Sequence, residues 1–371
     1  DVTLYVHDGR FYHALLFGGN VGVGESYMAG HWSCDDLVAL VRLITRNGAL
    51  FLGLDRGWMG LLQPLNRLRH LLNHNSQRNA RRNIAAHYDL GNDFYRLMLD
   101  ETMTYSSALF PTPDTPLQAA STAKLDRMCQ KLELRPTDHV LEIGSGWGSF
   151  ALHAARNYGC RVTTTTISPA QFAEATRRVE AAGLSERITV LQQDYRTLRG
   201  TYDTLVSIEM IEAVGHQYID AFFRACAARL KPDGIMGLQA ILASDQLFDR
   251  YKDKPDFINR YIFPGGCLPS MGAIMQSIGR ATDLRVHHLE SLAEHYALTV
   301  TRWRDNFHSN LDRVRAMRFD ERFVRMWDLY LGFCAGAFAE RRIGVAQIVF
   351  AKPRNRQGTP ALDGVPALPF Q

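Results

Sequence analysis

From about Thr115 the chain alternates β-rich runs with helical patterns, a layout that few folds can accommodate. The runs cover residues 140–143, 161–167, 188–191, 204–208 and 235–242, and helical patterns near 150–158, 170–182 and 218–230 separate most of them. Strands joined through helices run parallel, because only a long crossover brings the chain back to start the next strand in the same direction. The series predicts an α/β fold with a doubly wound, mostly parallel sheet of Rossmann-like form. A last apolar run at 345–350 is expected to add a terminal antiparallel strand.

At the end of the first run stands Glu142-Ile143-Gly144-Ser145-Gly146-Trp147-Gly148, directly before a helical pattern. Glycines let the backbone bend sharply there and let a ligand approach without Cβ clashes. The spacing is Gly-x-Gly-x-Gly, not the Gly-x-Gly-x-x-Gly of dinucleotide folds, and an acid precedes it by two residues. This form suits a methionine moiety better than a pyrophosphate. Glu142, Gly144, Gly146 and Gly148 are therefore candidate cofactor-binding residues, with Asp194 and Tyr195 after the third strand at the adenine position. Thr165 and Thr166 end the second strand, where many nucleotide folds place a ribose-binding acid. A turn with no ligand is the alternative reading of the loop.

Residues 1–75 are set apart as a small accessory domain and 76–371 as the catalytic domain, with a polar and aromatic insertion around 243–270. An apolar-periodic segment at 37–50 begins behind Cys34-Asp35-Asp36, which can cap a helix. Residues 56–88 carry six arginines (Arg56, Arg67, Arg69, Arg78, Arg81 and Arg82) and no acid, with Leu61, Leu62, Leu65, Leu68, Leu71 and Leu72 at helical spacing. Two readings stay open: a basic amphipathic helix on an anionic bilayer, or an ordinary helix docked on the core.

The net charge of +4 is only mildly basic, and no nucleic-acid partner is indicated. Six cysteines without a Cys-x-x-Cys pair signal neither a disulfide framework nor a zinc site, so no metal is expected. The opening Asp1-Val2-Thr3 lacks secretory features, and no apolar run is long enough to span a bilayer. A cytoplasmic protein in peripheral contact with the inner face of an anionic membrane is the expectation. Because the first residue is not methionine, the sequence is expected to begin inside a longer chain. The oligomeric state is left open, a homodimer being one option.

Several separated blocks carry a family resemblance. They are Gly22-Val23-Gly24-Glu25-Ser26-Tyr27-Met28, His87-Tyr88-Asp89-Leu90-Gly91-Asn92-Asp93-Phe94-Tyr95, the glycine loop, Thr166-Ile167-Ser168-Pro169-Ala170-Gln171 and Gln193-Asp194-Tyr195-Arg196. Further on come Ile262-Phe263-Pro264-Gly265-Gly266-Cys267-Leu268-Pro269-Ser270 and Cys334-Ala335-Gly336-Ala337-Phe338. Together they resemble cyclopropane-fatty-acyl-phospholipid synthases and the related mycolic acid cyclopropane synthases along nearly the whole chain. The resemblance implies S-adenosylmethionine as co-substrate and an unsaturated acyl chain of a phospholipid or other lipid as acceptor. It also implies that Tyr105 and Ser106 reach the methionine end, that Gly144 and Gly146 underlie it, that Thr166 and Gln171 serve the ribose, and that Tyr195 flanks the adenine.

An isolated alkene is a weak nucleophile with no proton to lose first, so such an enzyme must press it against a sulfonium methyl in a dry pocket. The resulting carbocation is stabilised by aromatic faces and a carboxylate, and ring closure then needs a base. In the family that base is a bicarbonate held by a Cys, a Glu, a His, an Ile backbone group and a Tyr. Here Glu212, Ile241 and Tyr296 match, while Ser107 stands for the Cys and Gln239 for the His; Ala213 replaces the His that commonly follows the Glu. A hydroxyl and an amide still offer hydrogen bonds to an anion, so an altered bicarbonate cradle is expected. Without the resemblance, Glu212 reads as a surface helix acid, since Glu209 lies three residues earlier on the same apparent turn. Two other outcomes stay open: a methyl-branched or methyl-alkene product, and a non-catalytic lipid-binding protein on a methyltransferase scaffold.

Overall fold

A computed structural model describes residues 1–48, 90–252, 256–358, 360 and 362. The basic stretch at 56–88 lies outside the described residues. In chain order the strands are β1 (Leu4–Val6), β2 (Trp32–Cys34), β3 (His139–Ile143), β4 (Arg161–Thr166), β5 (Ile188–Gln192), β6 (Tyr202–Ile208), β7 (Leu230–Ala243), β8 (Arg285–Ser291) and β9 (Ile343–Ala351). Seven of them form one sheet in the order β5-β4-β3-β6-β7-β9-β8. β3 to β7 pair in parallel, and β9 lies antiparallel between β7 and β8.

The expected runs correspond to β3–β7 and β9, whereas β8 has no counterpart among them. β8 is the edge of the sheet, and Arg285, His287, His288 and Glu290 interrupt its apolar pattern. Charged, mostly exposed residues are how a sheet edge avoids pairing with another chain, and they also hide the strand from an apolar-run search. β4 shows the opposite case, because Thr163 to Thr166 are all buried. Threonine's branched Cβ suits a strand, and its hydroxyl needs a buried partner.

Local signals set the helix starts. Ser168 accepts from the Gln171 N–H at 3.3 Å to cap helix Pro169–Ala181, whose first residue is proline. Asp36 accepts from the Ala39 N–H at 2.9 Å to cap helix Leu37–Arg46. From β3 the chain builds β4 and β5 on one side before crossing to β6 on the other, which leaves a crevice at the carboxyl ends of β3 and β6.

The first 48 residues fold as the antiparallel pair β1–β2, with helices Arg10–Phe17 and Gly19–Met28 between its strands and Leu37–Arg46 after them, around Phe11, Tyr27, Trp32, Leu37 and Leu40. This unit packs on helix Glu321–Ala339. Close approach depends on Gly332 and Gly336, where an added Cβ would come within 2.8 Å of Leu37 and 2.7 Å of Val41. Arg325 donates to the carbonyls of Tyr27 and Trp32 at 2.6 and 2.8 Å. The buried Asp328 carboxylate accepts from the Tyr27 hydroxyl at 2.7 Å and from Arg304 and His308 at 2.8 and 2.7 Å. Among the described residues no helix is long and apolar enough to cross a membrane.

Burial alone would raise the Asp328 carboxyl, but the His308 hydrogen bond, the Arg304 charge and hydrogen bond and the Tyr27 hydroxyl outweigh it and hold it at about 2, against an ordinary 3.8. A depressed carboxyl contributes stability above its unfolded value and loses it as pH falls through the folded one. Asp328→Asn is therefore expected to cost about 2 kcal/mol near neutral pH. The gap to wild type should close as pH drops from about 4 toward 2, as read from urea unfolding midpoints across that range. A gap that stays constant with pH would contradict the assignment.

Candidate active site

β3 ends at Ile143, and the next five residues turn into helix Ser149–Tyr158. Gly144, Gly146 and Gly148 have φ of 96°, 49° and 89°, a region that costs a residue with a side chain about 1–2 kcal/mol. The Gly144 and Ser145 N–H groups donate to the Thr165 carbonyl at 3.0 and 2.9 Å and pin the turn to β4. A Cβ at Gly146 would meet no protein atom within 4 Å, because the space beside it is cavity. Gly148 departs from the expected ligand role: it is not in the cavity wall, and its Cβ would touch Ala175 at 3.4 Å. It lets helices Ser149–Tyr158 and Pro169–Ala181 approach.

The cavity, about 1160 Å³, opens at the carboxyl ends of the parallel strands. That exceeds what one small ligand usually fills. One arm is polar and includes Gly144, Gly146, Thr166, Gln171, Asp194 and Tyr195. The Thr166 hydroxyl donates to Gln171 Oε1 at 2.8 Å and accepts from the Ser168 N–H at 3.1 Å, so it positions Gln171 and leaves the Gln171 amide nitrogen to meet a ligand. Asp194 accepts from Arg196 Nε at 2.9 Å and from its terminal nitrogen at 2.7 Å. Tyr195 packs edge-on against Phe222, with centroids 5.5 Å apart. A glycine cradle that a Cβ would fill, next to amide and aromatic groups, fits S-adenosylmethionine held by Gly144, Gly146, Gln171 and Tyr195.

Four ionisable groups cluster below this arm. Glu142 is 2% exposed and accepts from the Thr164 hydroxyl, and burial pushes its carboxyl up to about 8. Lys124 is fully buried and donates to the Ser106 hydroxyl at 2.7 Å; burial pulls its ammonium down to about 8 against the charges of Glu209, Asp100 and Glu142. Glu212 accepts from the Ile241 N–H at 2.5 Å through Oε1, while its buried Oε2 has no hydrogen-bond partner among the described residues. Burial, then the charge of Glu209, push Glu212 up to about 8.

Glu209 is the centre of the cluster. Its φ is 47°, and its N–H donates to the Gln239 carbonyl at 2.8 Å. Oε1 accepts from the Ser107 N–H at 2.9 Å and from Gln239 Nε2 at 2.8 Å, and Oε2 accepts from the Tyr296 hydroxyl at 2.5 Å. Burial raises this carboxyl, opposed by the Lys124 charge and by the bonds from Tyr296, Ser107 and Gln239. The side chain keeps partial exposure, and that exposure opens into the cavity.

Ser107 and Gln239, expected in an anion cradle, lie behind the cavity wall instead, while Glu212, Ile241 and Tyr296 line it. Ser107 meets Glu209 through its backbone N–H, and its hydroxyl donates to the Ala108 carbonyl at 3.1 Å. Gln239 Nε2 is spent on Glu209 and, at 3.4 Å, on the Ser107 carbonyl. Its orientation is forced from the far side. Lys131 has no acceptor, so its 2.7 Å contact turns the oxygen of Gln347 toward it; Gln347 Nε2 then donates to Gln239 Oε1 at 3.0 Å. Glu290 on β8 holds Lys131 at 2.7 Å. Of the donors expected for bicarbonate, Gln239 Nε2 and the Tyr296 hydroxyl are engaged by Glu209, the Ile241 N–H by Glu212 and the Ser107 hydroxyl by the Ala108 carbonyl, and a bicarbonate does not fit among them.

Sequence reasoning missed Glu209 and Lys124. The three-residue interval to Glu212 suggests one helical turn, but β6 ends at Ile208 and only the short 3-10 turn Ile211–Ala213 follows. The available signal was position: Glu209 is the first residue past a parallel strand, at the edge where α/β sheets bind ligands.

The second arm is aromatic. Tyr105 packs on Trp303 at 5.1 Å and stacks on Phe263 at 6.5 Å, and its hydroxyl bonds that of Tyr330 at 2.8 Å. Tyr296 stacks on Phe338 at 4.3 Å. Tyr105, expected at the methionine end, thus stands in the wall of the apolar arm as well. The arms meet near Met210, whose side chain would lie 3.0 Å from a Cβ on Gly144, and at Glu209, which Tyr296 bonds.

Because the space beside Gly146 is cavity, Gly146→Val is expected to fold while weakening S-adenosylmethionine binding by about tenfold or more, ~1.4 kcal/mol. Calorimetry checks it. Unchanged affinity in a folded variant would remove the loop from the site.

The chain is 39% identical over 336 residues to a tuberculostearic acid methyltransferase of Mycobacterium tuberculosis, covering 89% of this chain and 78% of the relative. It is 38% identical over 347 residues to the cyclopropane-fatty-acyl-phospholipid synthase of Escherichia coli, covering 94% and 87%. A crystal structure of a mycolic acid cyclopropane synthase complexed with SAH and CTAB superposes with a TM-score of 0.69 at 33% identity, covering 73% of this chain and 98% of that one. Residues 75–348 match the mycolic acid cyclopropane synthetase family, and the chain belongs to it as an S-adenosylmethionine-dependent enzyme of the cyclopropane synthase type.

Proposed function

We propose that this enzyme adds the methyl carbon of S-adenosylmethionine to the double bond of an unsaturated phospholipid acyl chain and closes a cyclopropane ring across it. One observation carries the reading: a polar arm and an aromatic arm share a single cavity, with Glu209 and Glu212 where they meet. S-adenosylmethionine, when bound, supplies an electrophilic sulfonium methyl. Tyr105, Trp303, Tyr330 and Phe338 exclude water and hold the alkene in line, which supplies most of what a weak nucleophile needs. Aromatic faces and an ionised carboxylate favour the positive charge that develops on the acyl chain.

A methyl-branched or methyl-alkene product is a second reading. The fixed carboxylate of Glu209 bears on its methyl-alkene form alone, since such a group can take a proton from a chain carbon beside the cation as well as from the new methyl. Incubating the enzyme with methyl-labelled cofactor and vesicles of unsaturated phospholipid, then recording NMR spectra of the released acyl chains, decides between them. Cyclopropane resonances are expected, and vinylic signals coupled to the labelled carbon would establish the second reading.

We also propose peripheral membrane contact through an accessory unit at residues 1–75 together with the basic stretch at 56–88 that runs on from it. Support comes from the exposed Leu15, Leu16, Phe17 and Ile44, of which Leu15, Phe17 and Ile44 also line the cavity, and from the six arginines between Arg56 and Arg82. Replacing Arg78, Arg81 and Arg82 with Gln is expected to lower affinity for anionic vesicles several-fold at low salt, leaving cofactor affinity unchanged. Equal binding of wild type to neutral and anionic vesicles would count against it.

A further inference from the structure

We propose that Glu209 is the proton acceptor of the reaction and takes the place that a bound bicarbonate would hold. The assignment rests on the acyl-chain chemistry proposed above and adds the identity of its base. Three donors converge on the Glu209 carboxylate: the Ser107 N–H, Gln239 Nε2 and the Tyr296 hydroxyl. They are the groups that a small anion would need, and they already have one, covalently tethered to β6.

The backbone supports the same reading independently. Glu209 sits at φ 47°, where glycine is favoured, and such strain persists only when surrounding structure over-determines it. The bond from its N–H to Gln239 and the three bonds to its carboxylate do so. Neither Ser107 nor Gln239 reaches the cavity, whereas Glu209 does. Oε1 takes two donors and Oε2 one, so Oε2 keeps a lone pair for the cavity. Glu212 differs from it: burial and the Glu209 charge favour its protonated form, whereas the rise that burial imposes on Glu209 is opposed by the Lys124 charge and by the three donors.

The step balances without an exchangeable anion. Once the methyl has joined one alkene carbon, the other carries the positive charge. A C–H bond of the new methyl breaks, its electron pair forms the C–C bond that closes the ring, and its proton passes to Glu209 Oε2. If the broken bond belongs to a neighbouring chain carbon, the electron pair forms an alkene and the proton goes to the same oxygen. Glu209 ends neutral in both cases and returns its proton to water when product leaves.

The test uses the full chain, methyl-labelled cofactor and unsaturated phospholipid vesicles in carbonate-depleted buffer, with and without added sodium bicarbonate. Wild-type turnover is expected to be independent of bicarbonate. Glu209→Gln should lose ~100- to 10,000-fold in turnover, the range for general base catalysis, with cofactor affinity by calorimetry within about twofold. Glu209→Gly relaxes the backbone and empties the cradle, so its low turnover should rise on adding bicarbonate. In ¹³C NMR, labelled bicarbonate should bind Glu209→Gly and not wild type. Full turnover in Glu209→Gln, or bicarbonate binding by wild type at this site, overturns the assignment while leaving the proposed activity intact. Absence of label transfer by wild type to any unsaturated lipid would instead overturn that activity, and this assignment with it.

Discussion

Charged groups inside a protein persist only in company, and the floor of this cavity is organised around that constraint. Glu142 and Glu209 act on the ammonium of Lys124, and Glu212 faces the charge of Glu209, so the three carboxyls compete for one cation. Glu142 and Glu212 are pushed up to about 8, so near neutral pH each largely keeps its proton. Burial raises Glu209 too, but the Lys124 charge and the bonds from Tyr296, Ser107 and Gln239 oppose that rise. Those donors are supplied by the sheet and the elements laid on it: Gln239 from β7, aligned by Gln347 of β9, and Tyr296 from helix Ala293–Ser309. The antiparallel end of the sheet therefore does more than complete the fold, because it orients a donor that opposes the rise of the Glu209 carboxyl.

Much of this architecture was legible in the sequence, for a physical reason. Buried parallel strands are rich in apolar or β-branched residues, as β4 is in threonine, and a glycine loop at a strand end has few alternatives, so β3 to β7 and the polar arm announce themselves. β8 did not, since a charged edge strand lacks that signature. The cofactor residues were read at the level of position and less well at the level of atoms. Thr166 and Asp194 line the cavity but spend hydrogen bonds on Gln171 and Arg196. Gly148 serves helix packing. Ser107 contributes a backbone N–H where a hydroxyl was expected, a distinction that residue type cannot carry.

Glu209 shows where pattern reading fails. A spacing of three between acids is the helical neighbour interval, and nothing in the local sequence states that one of them occupies a left-handed turn. Only the tertiary structure, with β6 ending at Ile208 and Gln239 alongside, places the carboxylate inward. Residues held in an unfavourable backbone region by several independent bonds are where local rules break down and where function concentrates.

A tethered base and an exchangeable anion impose different geometry. A bicarbonate can shift within its cradle and follow the substrate, whereas Glu209 Oε2 is fixed by the Tyr296 bond and by a backbone already at φ 47°. The proton removed is then the one that the aromatic arm brings to that oxygen. Product identity becomes a property of the walls: Tyr105, Phe263, Trp303 and Tyr330 determine how deep the acyl chain sits and which of its carbons faces Glu209. On that proposal a shift of the arm would alter the outcome without touching the base, because proton transfer depends on approach to hydrogen-bond distance. Ring closure and alkene formation on this scaffold thus differ by the packing of apolar side chains around a constant acid–base centre.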